Sequence, residues 1–433
     1  MARSGIVALA GLGLVALLAA ACGGGGEGSP TATPVPSQGL TTTPPPVVSP
    51  TAFPKEAAQI AYVGADGAIW LVAADGSERT SLILDRCRGL SFLWSPQGDQ
   101  IACVGTLGSG ALSETLALVF DLKGHLLTRV QHPGQFTGFT WGAQFASPWS
   151  SSGRNLAYVV KEWVTPTPEG ELPRGAFVLI ITNAGGIVAS ISDGQQPRWS
   201  ADGGRLAYFK PPNDTLTLYE LASGREKTLG EGLRPLAWVL ADKALLVAAN
   251  YQEHELGGTW ITYEVNLLDV ATGEMQRVPE LDNYTEFWLS PDRATAIVSS
   301  PRGPAIGVLD LASLQFTPIA GSVIGFPSDF IPQWQLAFSP DGSQIYWVDQ
   351  SGWTPHAIYR ANMDGTGLTK LGDVPGWFGA FSPDLTRVLY RGPDTGRDLW
   401  IANIDGSSAR LLAENASDAV WLPPAPLEES GPQ

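Results

Sequence analysis

From Gln59 onward, apolar positions come in short runs that alternate with polar ones and are cut by turn residues. That period predicts strands, and no stretch carries a helical stripe. The clearest example is Phe338-Ser339-Pro340-Asp341-Gly342, followed by the alternating run Ser343-Gln344-Ile345-Tyr346-Trp347-Val348. Pro340 presets φ for the second turn position, Asp341 can bond its own backbone, and Gly342 accepts the positive φ that closes a bulged hairpin. Worn copies recur at Trp94-Ser95-Pro96-Gln97-Gly98, Trp149-Ser150, Trp199-Ser200-Ala201-Asp202-Gly203, Leu289-Ser290-Pro291-Asp292 and Phe381-Ser382-Pro383-Asp384. A second signal alternates with the first: an apolar strand and a Gly turn, as in Ile69-Trp70-Leu71-Val72-Ala73-Ala74-Asp75-Gly76 and Leu399-Trp400-Ile401-Ala402-Asn403-Ile404-Asp405-Gly406. Two hairpins per unit make four antiparallel strands, at a period of about 40–50 residues. Period and strand count together predict an all-β chain folded as a single β-propeller.

The units fall at 59–85, 90–131, 138–193, 197–230, 235–280, 284–320, 333–372 and 376–414. That is eight blades, with seven as the alternative because the third and fifth units are the least regular. The first unit lacks an opening aromatic strand, and Ser417-Asp418-Ala419-Val420-Trp421-Leu422 is an aromatic strand with no hairpin after it. Joining the two closes the ring with the C-terminal strand.

Ahead of the repeats, Arg3, the apolar run from Ile6 to Leu18 and the small residues Ala19-Ala20-Ala21 before Cys22 form an export signal. The run is shorter than the roughly 20 residues a spanning helix needs. The segment resembles a bacterial lipoprotein signal, which implies cleavage before Cys22 and lipid attachment to it. Residues 23–57 are Gly-rich and then Pro/Thr/Ser-rich, a composition that cannot bury a core and predicts a disordered, extended tether. The expected organisation is therefore 1–22 signal, 23–57 linker, 58–424 propeller and 425–433 disordered tail. The paired turn motifs over about 59–422 resemble the TolB-type, WD-repeat-like propellers. That resemblance implies the fold; such propellers serve as docking platforms, gating domains and lyases. A linker stands where TolB-type proteins carry an N-terminal domain, so their role in envelope integrity is not carried over.

Composition changes the picture at two points. Net charge is −16, with 42 acidic against 26 basic side chains, a surface that repels nucleic acid and anionic lipid. Of the 3 cysteines, Cys87 and Cys103 fall in the folded part. In an oxidising compartment the pair can form a disulfide. Folding the hairpin about Pro96 and Gln97, however, sets Cys103 opposite Leu90 or Ser91 rather than Cys87. Two buried small residues are the alternative.

The turns between first and second strands, and between third and fourth, share one face of a propeller; in this chain they are short and uniform. The opposite face receives the long, varied segments, which carry Trp141, Trp163, Tyr251, His254, Phe326, Phe330, Trp353 and His356. Aromatics beside polar groups suit stacking on sugars or anchoring a protein, and that face is the expected site. The 4 histidines are scattered, and His254-Glu255-Leu256-Gly257-Gly258 lacks the second histidine of a zinc-protease helix. A lyase assembling His254, His356 and Arg302 around a metal is the alternative. The main expectation is a lipid-anchored, extracytoplasmic, monomeric binding or scaffolding propeller for an envelope protein or glycan, without cofactor, metal or turnover; a purely structural spacer is the third reading.

Overall fold

The computed structural model describes residues 60–422 except 84–86, 88–89, 110–112, 139–146, 164–172, 255–259, 280–285, 300–305, 320–335, 350–354 and 393–395. The described strands form eight four-stranded antiparallel sheets, arranged as the blades of a propeller. Seven blades are built from consecutive strands, starting at residues 91, 135, 195, 233, 286, 336 and 377. The other, blade 1, takes its first strand, Ser417–Trp421, from the far end of the chain and pairs it with Ile60–Val63. The closing strand expected from the orphan C-terminal aromatic is in place, with Ile60 opposite Trp421 and Ala61 opposite Val420.

Burial follows the order of strands within a blade. The second and third strands are covered on both faces by neighbouring blades and are apolar almost throughout, as in Arg205–Lys210 and Ile306–Asp310. Fourth strands form the rim, and Met275–Arg277 and Arg225–Gly230 are largely exposed. The core is consequently a ring of inter-blade clusters and not one central mass.

The recurrent aromatic before the turn is explained by this arrangement. Trp94, Trp149, Trp199 and Phe381 each pack into the cluster shared with the preceding blade, and Trp238 does so in blade 5. Two of these wedges, and the closing Trp421, are also pinned by hydrogen bonds across the blade boundary. Trp199 Nε1 donates to the Pro148 carbonyl at 2.9 Å, Trp238 Nε1 to Arg198 at 2.9 Å, and the closing Trp421 Nε1 to Ala380 at 3.4 Å. A wide aromatic fills the gap between twisted sheets, and in Trp199, Trp238 and Trp421 its one polar atom is satisfied by the adjacent backbone.

Cys87 and Cys103 are joined as a disulfide, with Cα atoms 5.6 Å apart. The register differs from the expected one: Cys103 pairs with Phe92, and Ser91 with Val104. Cys87 lies before the hairpin, at the link entering blade 2, so its reach to Cys103 is tertiary and does not depend on strand register.

Candidate functional site

The two faces of the ring are built differently, and the turns show why. In blade 7, Ser339 Oγ donates to Asp341 at 2.5 Å and accepts the Gln344 N–H at 2.9 Å, while Asp341 accepts the Ser343 N–H at 3.1 Å. Gly342 takes the φ of 69° that the reversal needs. The serine–aspartate pair repeats at Ser200/Asp202, Ser290/Asp292 and Ser382/Asp384. These bonds, the Ser339 hydroxyl foremost, hold the Asp341 carboxyl down to about 2, and the Ser200 hydroxyl lowers Asp202 likewise. The turn carboxylates are structural, as their sequence context indicates.

Neighbouring turns also lock to one another. Gln97 Nε2 donates to the Ser151 carbonyl at 2.6 Å, and the Asp242 carboxylate accepts the N–H groups of Ala201 at 2.7 Å and Asp202 at 2.9 Å. Leu240 donates to the Arg293 carbonyl at 3.2 Å. This tight-turn face encloses a cavity of about 260 Å³, lined by Trp149, Trp199 and Trp238 with Arg198, Arg293 and turn residues of blades 2 to 4. Arg198 is 2% exposed; its Nε donates to the Leu236 carbonyl at 2.9 Å, and burial pulls its pKa down to about 10, still cationic at neutral pH. Arg293 stands 3.8 Å from Asp242.

Backbone strain gathers beside this cavity. Leu240, Ala241 and Asp242 are consecutive left-handed residues with φ of 52°, 54° and 63°. For residues with a side chain, each such conformation costs about 1–2 kcal/mol. Arg293 has φ 55° in the slot that Gly98, Gly153, Gly203 and Gly342 fill in other blades. Leu385 shares that departure, and there the buried leucine packs into the core beside blade 7.

The opposite face carries two projecting arms. In blade 4 the central hairpin stops at Lys210 opposite Thr215. The corresponding strands run on to Trp163 opposite Pro173 in blade 3, and to His254 opposite Trp260 in blade 5. At about 3.3 Å per residue these arms rise roughly 10 and 15 Å beyond blade 4, which lies between them. Blade 2 is intermediate, its pair ending at Leu107 and Glu114. A bulge at 249–252, with Asn250 at φ 53°, bends the blade 5 arm at its root.

The floor between the arms is an ordered stack. Arg234 Nε lies 2.7 Å from the Asp214 carboxylate, and its guanidinium sits 3.5 Å from the Tyr251 ring centroid and 4.8 Å from Phe209. Tyr251 in turn stacks on Tyr263 at 6.4 Å and 9°.

The expected site residues thus separate into three groups. Trp163 and His254 have their backbones at the arm ends, and Tyr251 lies half-buried at the base of one arm. His356 departs from expectation: it is 1% exposed, tilted against Trp377 at 5.6 Å, and burial lowers its pKa, so it is neutral at physiological pH and presents no ring to solvent. It also stands in blade 7 while His254 ends the blade 5 arm. Cys22, the linker, Trp141, Arg302, Phe326, Phe330 and Trp353 lie outside the described residues. The cavity residues Arg198, Arg293 and Trp238 escape a reading aimed at variable loops. One signal was available for them: Ser290-Pro291-Asp292-Arg293 breaks the glycine rule of its own repeat.

Comparison with protein-family models and with curated proteins gave no match. Among solved structures the chain is similar to the dihydro-heme d1 dehydrogenase NirN in complex with DHE, at 15% identity over 87% of this chain and 78% of that one, TM-score 0.55. It is also similar to a eukaryotic initiation factor, at 16% identity over 86% and 99% of the two chains, TM-score 0.53. At these identities the likeness is one of fold. TolB from Acinetobacter baumannii also matches, at 16% identity over 75% of this chain and 83% of that one, but its TM-score of 0.34 carries no argument.

Proposed function

We propose that this chain is an extracytoplasmic binding propeller, anchored by lipid on Cys22, that holds a protein or glycan partner on its arm face without turning it over. The observation that carries the reading is the pair of arms in blades 3 and 5 flanking the low blade 4. Projecting two-stranded hairpins add surface without adding core, and a notch with aromatic residues at its base suits a partner that lies between them. The Cys87–Cys103 disulfide supports an oxidising compartment, and the lipoprotein-like signal and TolB-type turn repeat point the same way.

Affinity capture from an envelope extract and a glycan array, each with the exported chain, tests this reading. The expected result is a partner retained by the wild type and lost when residues 252–262 are replaced by an Asn-Gly turn or Trp163 by Ala. Equal retention by those variants, or no retained component on either platform, overturns it. Mass spectrometry of the mature N-terminus tests the anchor: a diacylated Cys22 is expected, and an unmodified Cys22 or an uncleaved Met1 removes it.

A further inference from the structure

Resting on that reading of the arm face and narrowing its partner, we infer that the indole of Trp377, in blade 8 and apart from both arms, is a stacking platform for a sugar ring, and that the partner is a neutral glycan.

Trp377 opens the first strand of its blade, Trp377–Phe381. First strands run toward the tight turns, where Trp199 ends its own, so a residue that opens one stands on the arm face. At 42% it is the most exposed aromatic side chain among the described residues. The recurrent tryptophans are wedges buried between blades, whereas neither core cluster flanking blade 8 includes Trp377. Its setting leaves the indole uncovered. The buried His356 of blade 7 backs it, with ring centroids 5.6 Å apart, and two glycines stand next to it. A Cβ on Gly376 would collide with the Arg391 carbonyl, and Gly396, at φ 62°, would bring a Cβ to 3.9 Å from Trp377 Cδ1. Neither neighbour therefore carries a side chain over the ring.

The surroundings favour a sugar over a protein. No other exposed large apolar side chain among the described residues lies on a first strand, so Trp377 is isolated and not the centre of an apolar patch of the kind that anchors a protein. Of the seven other first strands, four open on a hydroxyl or an amide: Ser417, Ser91, Gln135 and Gln195. A pyranose presents an apolar C–H face edged by hydroxyls, and an indole in a ring of hydroxyls and amides is its complement. One strand opens on a charge, Glu286, and that charge is negative. Arg391, opposite Trp377 in register, has a partner of its own. With a net charge of −16 the molecule repels an acidic polysaccharide at long range, which leaves a neutral one.

Calorimetric titration of the exported chain with cellotriose, maltotriose and chitotriose, against trigalacturonate as an acidic counterpart, tests the platform. The expected result is saturable binding of at least one neutral trisaccharide, insensitive to added salt as an uncharged ligand implies, with trigalacturonate weaker. Trp377→Ala should weaken that binding by about tenfold, and Trp377→Phe, which keeps an aromatic face, by less. Both variants should unfold in urea as the wild type does, since Trp377 lies outside the flanking clusters. No saturable binding of any neutral trisaccharide, undiminished binding by Trp377→Ala, or tighter binding of trigalacturonate overturns the inference. A partner lost with the arms but indifferent to Trp377→Ala also overturns it and leaves the arms standing. A glycan lost with Trp377→Ala but retained by the arm variants overturns the arms and leaves the platform.

Discussion

The turn face and the arm face are made from the same strands, joined at opposite ends, yet they differ in what their residues are committed to. On the turn face, side chains are bound to the fold: serines to aspartates, tryptophans to the preceding blade's backbone, Asp242 to two N–H groups of its neighbour. On the arm face the hairpins of blades 3 and 5 pass beyond the packed ring and pair mainly with themselves. Uniformity on one side reflects structural duty, and variety on the other reflects release from it.

The most severe test of that contrast is Trp238→Ala. It removes a fully buried indole and its bond to Arg198, and should lower the unfolding free energy by about 3–5 kcal/mol, measured by urea titration. A loss near zero would break the distinction. The Cys87–Cys103 link sharpens it, because it ties the segment entering blade 2 covalently. With the cysteines at a sequence separation of 16, replacing both by alanine should cost about 3 kcal/mol, and reductant should then have no further effect on the variant.

Asp341 gives a smaller, pH-resolved effect. Its folded pKa of about 2 lies below the ordinary 3.8, so its carboxylate favours the fold above about pH 4, and that contribution disappears as pH falls through about 2. Asp341→Asn should therefore be less stable than the wild type at neutral pH, with the gap closing between pH 4 and 2 in parallel acid-unfolding curves. A gap independent of pH would show that the turn does not use the charge. The least effect belongs to the arm. Replacing residues 252–262 by Asn-Gly should leave the unfolding free energy from urea titration within about 0.5 kcal/mol, since none of the described residues removed belongs to the inter-blade clusters. A large loss there would make the arm part of the ring.

What was legible in the sequence follows the same division. Blade count, ring closure and the structural duty of the turn aspartates could be read because each rests on local chemistry repeated in register: an aromatic wedge, a hydroxyl, a carboxylate, a left-handed glycine. Cys103 fell opposite Phe92 and not Leu90 or Ser91 because the partner cysteine lies outside the hairpin whose register was being counted. Tyr251 was read from a variable segment, but the guanidinium of Arg234 that covers its ring comes from another strand. His356 failed because a strand-end histidine in sequence gives no sign of Trp377 lying over it from the next blade. The cavity was hidden by distance along the chain: Pro96 and Arg293, which share its wall, become neighbours only once the ring is closed.

Closure by Ser417–Trp421 has a consequence for the order in which the molecule can be made. Blade 1 is the first of the ring to leave the ribosome and the last to be completed. Until the final strand arrives, Ile60–Val63 is an open sheet edge, able to pair with any exposed strand it meets. Non-local pairing of this kind is slow, since the whole intervening chain must be in place first. The ring thereby proofreads its own length: a chain halted anywhere before Trp421 keeps a reactive edge that marks it as unfinished, and a full one hides that edge beneath its last strand.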